Sequence, residues 1–230
     1  MSASPPSLEF AGVSKRFGRS KRPLWALNDV SFTIADGEAL GVVGESGSGK
    51  STIARIAVGL EEPTSGTVTV RGASLREARR RHLSQMVFQE PASSLNPHLR
   101  VRASLREPLD AAGVLAESAR EAAIDEMLRE VGLNAEIGSR FPTALSGGQK
   151  QRASIGRALA TLPPLLVCDE PVTALDVSIR AQLLNLLRRL QDEHGLSYLY
   201  ISHDLSTVTY MCHRVMVLYL GTVMEVASTE

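Results

Sequence analysis

The sequence predicts an α/β fold with a mostly parallel sheet, an antiparallel β layer at the N-terminus and an inserted helical subdomain. Three observations carry this expectation. Near-continuous apolar runs alternate with amphipathic stretches at helical spacing, the pattern of strands buried on both faces between crossover helices. Two strand-like runs near the N-terminus follow one another with no helical pattern between them. A central stretch rich in Ala, Arg and Glu has few strand-like runs and reads as helix.

Taken in order, LEFAGVSKRF (8–17) and LNDVSFTI (27–34) form the antiparallel layer. ALGVVG (39–44) is a short buried strand ending in glycine, and KSTIARIAVGL (50–60) has the apolar spacing of an amphipathic helix. The segment 91–140 is the helical insertion. GGQKQRASIGRALA (147–160) and IRAQLLNLLRRLQDEHG (179–195) are helices, while PLLVCDE (164–170), SYLYIS (197–202) and RVMVLYL (214–220) are strands. The chain is thus one domain, 1–230, with an α/β core at about 1–90 and 141–230. Gly156 lies inside a predicted helix, where glycine costs about 1 kcal/mol relative to alanine, so that helix is expected to be slightly loosened.

Composition narrows the class. The 230 residues are 43% apolar, and 25 Lys+Arg balance 25 Asp+Glu, so no bulk positive field draws the chain onto nucleic acid or an anionic membrane. The basic clusters KRFGRSKR (15–22) and REARRRH (76–82) read as solvated faces. Two isolated cysteines, without CxxC spacing, argue against a zinc site or a disulfide framework. The N-terminus lacks a signal-peptide pattern, and no apolar run approaches the roughly 18 residues that span a bilayer.

Gly44-x-x-x-x-Gly49-Lys50-Ser51 follows a predicted strand and opens a predicted helix, the context that gives a phosphate-binding loop its meaning. Within Gly44, Glu45, Ser46, Gly47, Ser48, Gly49, Lys50, Ser51 and Thr52, glycines let successive N–H groups converge on one anion, aided by the helix N-terminus. Lys50 can reach β- and γ-phosphates, and Ser51 can offer its hydroxyl to Mg²⁺. A second acidic element is required. The strand ending in Asp169-Glu170 supplies it, Asp169 as a Mg²⁺ ligand and Glu170 as the general base that polarises water. These elements make the core a P-loop NTPase.

LSGGQKQR (145–152) adds a second Ser-Gly-Gly anion site ahead of a helix, with no lysine in its glycine turn. Here the chain resembles the ATPase subunit of ABC transporters, over nearly its whole length. The resemblance implies that Ser146, Gly148 and Gln149 bind the γ-phosphate of ATP held by a second subunit. It further implies that Gln89 in VFQEP senses Mg²⁺ and the attacking water, that Asp176 in TALD crosses the dimer interface, and that His203 in YISHDL contacts the γ-phosphate. Phe17 in KRFG matches the aromatic that stacks on adenine, with Trp25 near enough in sequence to compete for that role.

FQEPASSLNP (88–97) and CDEPVTALDVSIRAQLLNLL (168–187) resemble the ATPases of bacterial dipeptide, oligopeptide and nickel importers. The implied function is ATP hydrolysis with Mg²⁺, in two subunits closed head to tail, powering import of peptides or a related small solute. The implied partners are a second ATPase subunit, transmembrane permease subunits and, indirectly, an extracytoplasmic solute-binding protein. No nucleic acid is expected. The implied location is the cytoplasmic face of the inner membrane, as a peripheral protein. That importer group normally continues beyond LYLGTVMEVASTE, so this chain is expected to be a trimmed or naturally short form. Leu95, Val101 and Leu105 either line a permease-docking groove or fill the helical core. A nucleic-acid-coupled ABC ATPase is the alternative, but such proteins usually carry a coiled-coil insertion, zinc CxxC pairs or a second cassette. A GTPase or small-molecule kinase has no use for LSGGQ.

Overall fold

A computed structural model describes residues 4–18, 24–91, 94–113, 115–173 and 175–229. The basic cluster 15–22 lies outside the described residues from position 19 onward. In chain order the elements are β1 (Leu8–Phe17), β2 (Leu24–Ile34), β3 (Ala39–Val43), α1 (Lys50–Ala57), β4 (Ser65–Val70), β5 (Ala73–Ser74), α2 (Leu75–Arg80) and β6 (Ser84–Val87). There follow α3 (Val101–Ala112), α4 (Glu117–Glu130), α5 (Ala135–Gly138), α6 (Gly147–Leu159), β7 (Leu165–Asp169) and α7 (Val177–His194). The chain closes with β8 (Ser197–Ile201), α8 (Leu205–Met211), β9 (Arg214–Tyr219) and β10 (Thr222–Ser228).

Two compact units emerge: Met1–Met86 with Pro164–Glu170 and Gly195–Glu230, and Val87–Pro163 with Pro171–His194. The first holds both sheets. A six-stranded sheet runs β10-β9-β3-β8-β7-β6, with β3 parallel to β8 and β9, and β7 parallel to β8. Every residue of β3, β7 and β8 is buried, which is why these strands read as unbroken apolar runs. The four-stranded sheet, β2-β1-β4-β5, is antiparallel. Its β2 buries Val30, Phe32 and Ile34 and exposes Ser31 and Thr33, a one-faced strand, and Phe32 stacks on its cross-strand partner Phe10 at 4.7 Å.

The second unit is helical. Leu105 and Leu109 of α3, Ile124 and Leu128 of α4, and Leu183, Leu187 and Leu190 of α7 are buried. On its surface Arg102 pairs with Glu121 and Asp125, and Arg106 with Asp110 and Glu117. Such exposed pairs are screened by water and salt, so the apolar seam dominates the packing. Leu95, Val101 and Leu105 are all buried in this unit. Val101 and Leu105 fill its core, while Leu95, though buried, also lines a small cavity with Pro97, Pro142, Thr143 and Lys150. A Cβ added at Gly156 would meet Leu105 Cδ2 at 3.3 Å and Val131 Cγ1 at 3.5 Å. The glycine therefore admits close packing on α3, a gain that its helix propensity alone conceals. Cys168 and Cys212 are buried free thiols.

Candidate functional site

The glycine-rich loop between β3 and α1 is shaped by contacts that leave no room for side chains. A Cβ at Gly44 would lie 2.2 Å from the Leu218 carbonyl oxygen, and Gly49 sits at φ 109° beneath the Ala26 carbonyl. The Ser48 N–H donates to the Glu45 carbonyl at 3.1 Å, and the Gly221 N–H donates to the Ser48 carbonyl at 2.9 Å, tying the loop to the β9–β10 turn. The N–H groups of Thr52 and Ile53 both donate to the Gly49 carbonyl and start α1. Glu45, Ser46, Gly47 and Ser51 are exposed on this surface. Lys50 is buried, and its ammonium donates to the carbonyls of Gly44 and Glu45 at 2.7 Å each. An ammonium has three donors, so one remains to face an anion in the loop.

The C-terminal ends of β7 and β8 bring the acidic residues to the same unit. Ser51 Oγ donates to Asp169 Oδ1 at 3.4 Å. Burial pushes the Asp169 carboxyl above the usual range, against the hydrogen bond from Ser51, with the charge of Glu170 adding to the rise and Arg55 and Lys50 opposing it. Glu170 follows at φ 47°, a left-handed conformation that costs a non-glycine residue roughly 1–2 kcal/mol, held by its N–H donating to the Ile201 carbonyl at 3.0 Å. Its Oε2 lies 3.1 Å from His203 Nδ1, on the loop after β8. Such strain at a carboxylate beside a phosphate-type loop was not readable from the letters CDEP.

Phe17 and Trp25 belong to the β1–β2 ribbon, paired as Phe17 with Leu24 and Arg16 with Trp25. Opposed residues share a face and neighbours alternate, so the two aromatics point to opposite faces of the ribbon. Trp25 therefore does not share the face of the ribbon on which Phe17 lies. Sequence reasoning passed over Lys15, whose ammonium sits 4.9 Å from the Phe17 ring centroid. The signal was its i, i+2 spacing from Phe17 on a strand.

In the second unit, Ser146 caps α6. Its Oγ accepts from the Gln149 N–H at 3.3 Å, and Gln149 Oε1 accepts from the Ser146 N–H at 3.0 Å, a reciprocal capping box. Gly147 and Gly148 open the helix, where N–H groups have no intrahelical acceptor. A Cβ at Gly148 would meet Ile179 Cγ2 at 2.8 Å, so this glycine also lets α6 approach α7. Gln89 and Asp176 are exposed. Gln89, Gly147 and Leu175 line one cavity of about 200 Å³, so the loops bearing Gln89, Ser146 and Asp176 converge.

The first unit's donor set suits a phosphate chain with a hard divalent cation. Ser48 Oγ is buried in the loop without a hydrogen-bond partner, Lys50 keeps a donor, and the Ser51 hydroxyl with the Asp169 carboxylate offers the oxygen ligands that Mg²⁺ prefers. Within described residues, no helix is long and apolar enough to cross a membrane.

Comparison with known proteins agrees in kind. Residues 27–173 match the ABC transporter family. A Brucella abortus (strain 2308) protein named for peptide import ATP binding is 51% identical over 211 residues, covering 88% of this chain and 63% of that protein. The Bacillus subtilis (strain 168) protein YkfD, named for oligopeptide transport ATP binding, is 45% identical over 97% of this chain and 70% of its own length. The chain thus spans less than two thirds of the Brucella relative. Among solved structures, a dimeric post-hydrolysis state of the ATP-binding cassette MJ0796 bound to ADP and Pi superposes with a TM-score of 0.87 at 30% identity, covering 97% of this chain and 99% of the other. CbiO1 from Clostridium perfringens, part of the cbiONQ transporter complex, gives 0.84 at 26% identity, covering 98% and 89%.

Proposed function

This chain belongs to the ABC transporter family, and we propose that it is the Mg²⁺-ATP-hydrolysing subunit of a peptide importer. The observation that carries the catalytic reading is the convergence of Lys50, Ser51, Asp169, Glu170 and His203 within one compact unit. The names of the relatives support peptide as the solute.

Lys50 and the loop N–H groups orient the β- and γ-phosphates. Ser51 and Asp169 would hold Mg²⁺, and Gln89 takes the sensing role that the family resemblance implies. Held by Ser51 and Asp169, a divalent cation would supply charge neutralisation for the phosphate chain. Glu170 takes a proton as the water oxygen bonds to the γ-phosphorus and the bond to the bridging oxygen breaks, leaving ADP and phosphate. His203 orients the Glu170 carboxylate and reaches toward the γ-phosphate. Phe17 stacks on adenine.

Ser146, Gly148 and Gln149 act on the ATP of a second subunit, and Asp176 lies at that interface. The dimeric state described for MJ0796 supports the pairing of two such subunits. Loss of the bridging phosphate releases the pair and moves the permease, to which Gln89 couples the change. The protein works at the cytoplasmic face of the inner membrane through that permease, supplied by an extracytoplasmic binding protein. Purified chain should release phosphate from ATP only with Mg²⁺, and a peptide permease should co-purify with it from native membranes. Recovery of a permease for a different solute would reject the peptide assignment.

A further inference from the structure

We propose that Lys15 is a positioning residue that fixes the Phe17 ring for base stacking and ties it to the helix that carries Lys50. This rests on the reading of Phe17 as the adenine-stacking group. The Lys15 ammonium lies 4.9 Å from the Phe17 centroid, within cation–π range. It is not a loose surface charge: the side chain is 13% exposed and bonds Glu61 Oε2 and the Glu62 carbonyl, each at 2.8 Å. Glu61 is itself anchored, because the N–H groups of Leu60 and Glu61 both donate to the Arg55 carbonyl at the end of α1.

Two further bonds fasten this end of β1 to the same segment. The Arg16 N–H donates to Thr64 Oγ1 at 3.0 Å, and the Thr64 N–H donates to the Ser14 carbonyl at 2.8 Å. The contacts therefore run unbroken from α1 through Glu61 and Lys15 to an aromatic that is itself 36% exposed. A half-exposed ring at a strand end is otherwise free to change rotamer. With a tethered cation over one face, the opposite face is the one on which a base would stack.

The test is equilibrium titration of the full chain with ATP and, separately, with inorganic tripolyphosphate. Lys15→Met should weaken ATP by about three- to fivefold, the size of a partly exposed cation–π contact. It should leave tripolyphosphate binding unchanged, raise KM for ATP without altering kcat, and be rescued by Lys15→Arg. In a Phe17→Ala background Lys15→Met should add nothing. Glu61→Gln, which keeps Lys15 but weakens its tether, should shift ATP affinity in the same direction by less. Three results overturn the proposal while Phe17 keeps its role: Phe17→Ala weakens ATP but Lys15→Met does not, tripolyphosphate weakens equally, or the two losses multiply. An unchanged ATP affinity in Phe17→Ala overturns the stacking role itself and the proposal with it.

Discussion

Glu170 Oε2 lies 3.1 Å from His203 Nδ1, with the carboxylate side chain recessed at 17% exposure and the imidazole open at 58%. A recessed carboxylate held against His203 is poised to orient water. Glu170→Gln keeps size and hydrogen bonding but loses basicity, so Mg-ATP should bind within about twofold of wild type while turnover falls about 100-fold or more. His203→Ala should also lower turnover with binding retained, whereas Lys50→Ala should weaken binding itself. Nucleotide titration alongside steady-state phosphate release separates these outcomes, and a Glu170→Gln chain that keeps most of its turnover would remove the general-base role.

Asp169 should lower the stability of the nucleotide-free chain. Burial raises its folded pKa above the unfolded value, so the folded state holds the proton more tightly. Its ionisation cost is absent below the unfolded value, grows as pH rises toward the folded one, and stands in full above it. Asp169→Asn should therefore raise the melting temperature at pH 7 without Mg²⁺ by a few degrees, and the gain should vanish near the acid end of the titration. Stabilisation by added Mg-ATP should shrink in the same variant. Scanning fluorimetry across pH reads both, and a lower apo melting temperature at pH 7 would contradict the burial argument.

Gly44 and Gly47 separate steric room from backbone strain. A Cβ at Gly44 strikes the Leu218 carbonyl oxygen at 2.2 Å, while at Gly47 it meets nothing within 4 Å but sits at φ 81°. Gly47→Ala should cost about 1–2 kcal/mol of stability. Gly44→Ala should cost at least about 2 kcal/mol, because a backbone oxygen on β9 cannot yield as a side chain can. Urea unfolding of the two variants gives the order, and the reverse order would show that the loop relaxes freely at Gly44.

Much of this site was legible because its chemistry demands particular letters at fixed spacing. Gly44 to Ser51, Asp169-Glu170 and Leu145 to Gln149 are such runs; β3, β7 and β8 announced themselves as buried strands, and β9 as a strand that proves only partly buried. The sequence was silent where geometry depends on tertiary neighbours. SGTVTV at β4 is too short and exposed to declare a partner, yet it pairs with β1. β10 exposes most of its residues because it is the edge of its sheet, so it lacks an apolar run. Val101 and Leu105 looked equally suited to a groove or a core, since periodicity marks an apolar face without saying what covers it. The left-handed Glu170 and the anchored Lys15 arise from contacts with Ile201 and Glu61 that lie far away in sequence.

The central claim is that Lys50 and Ser146 of one chain serve different ATP molecules. Lys50→Ala and Ser146→Arg homodimers each carry two damaged sites, so each alone should be nearly inactive. In the mixed dimer, Lys50 of the Ser146→Arg chain faces Ser146 of the Lys50→Ala chain, and one intact site returns. Tandem purification on two different tags isolates that mixed dimer, and a chain carrying both substitutions, paired with wild type, provides the control with both sites damaged. Steady-state ATPase of the first mixed dimer should rise well above both parents, while the control dimer stays near their level. An isolated mixed dimer as inactive as its parents would contradict the shared-site account.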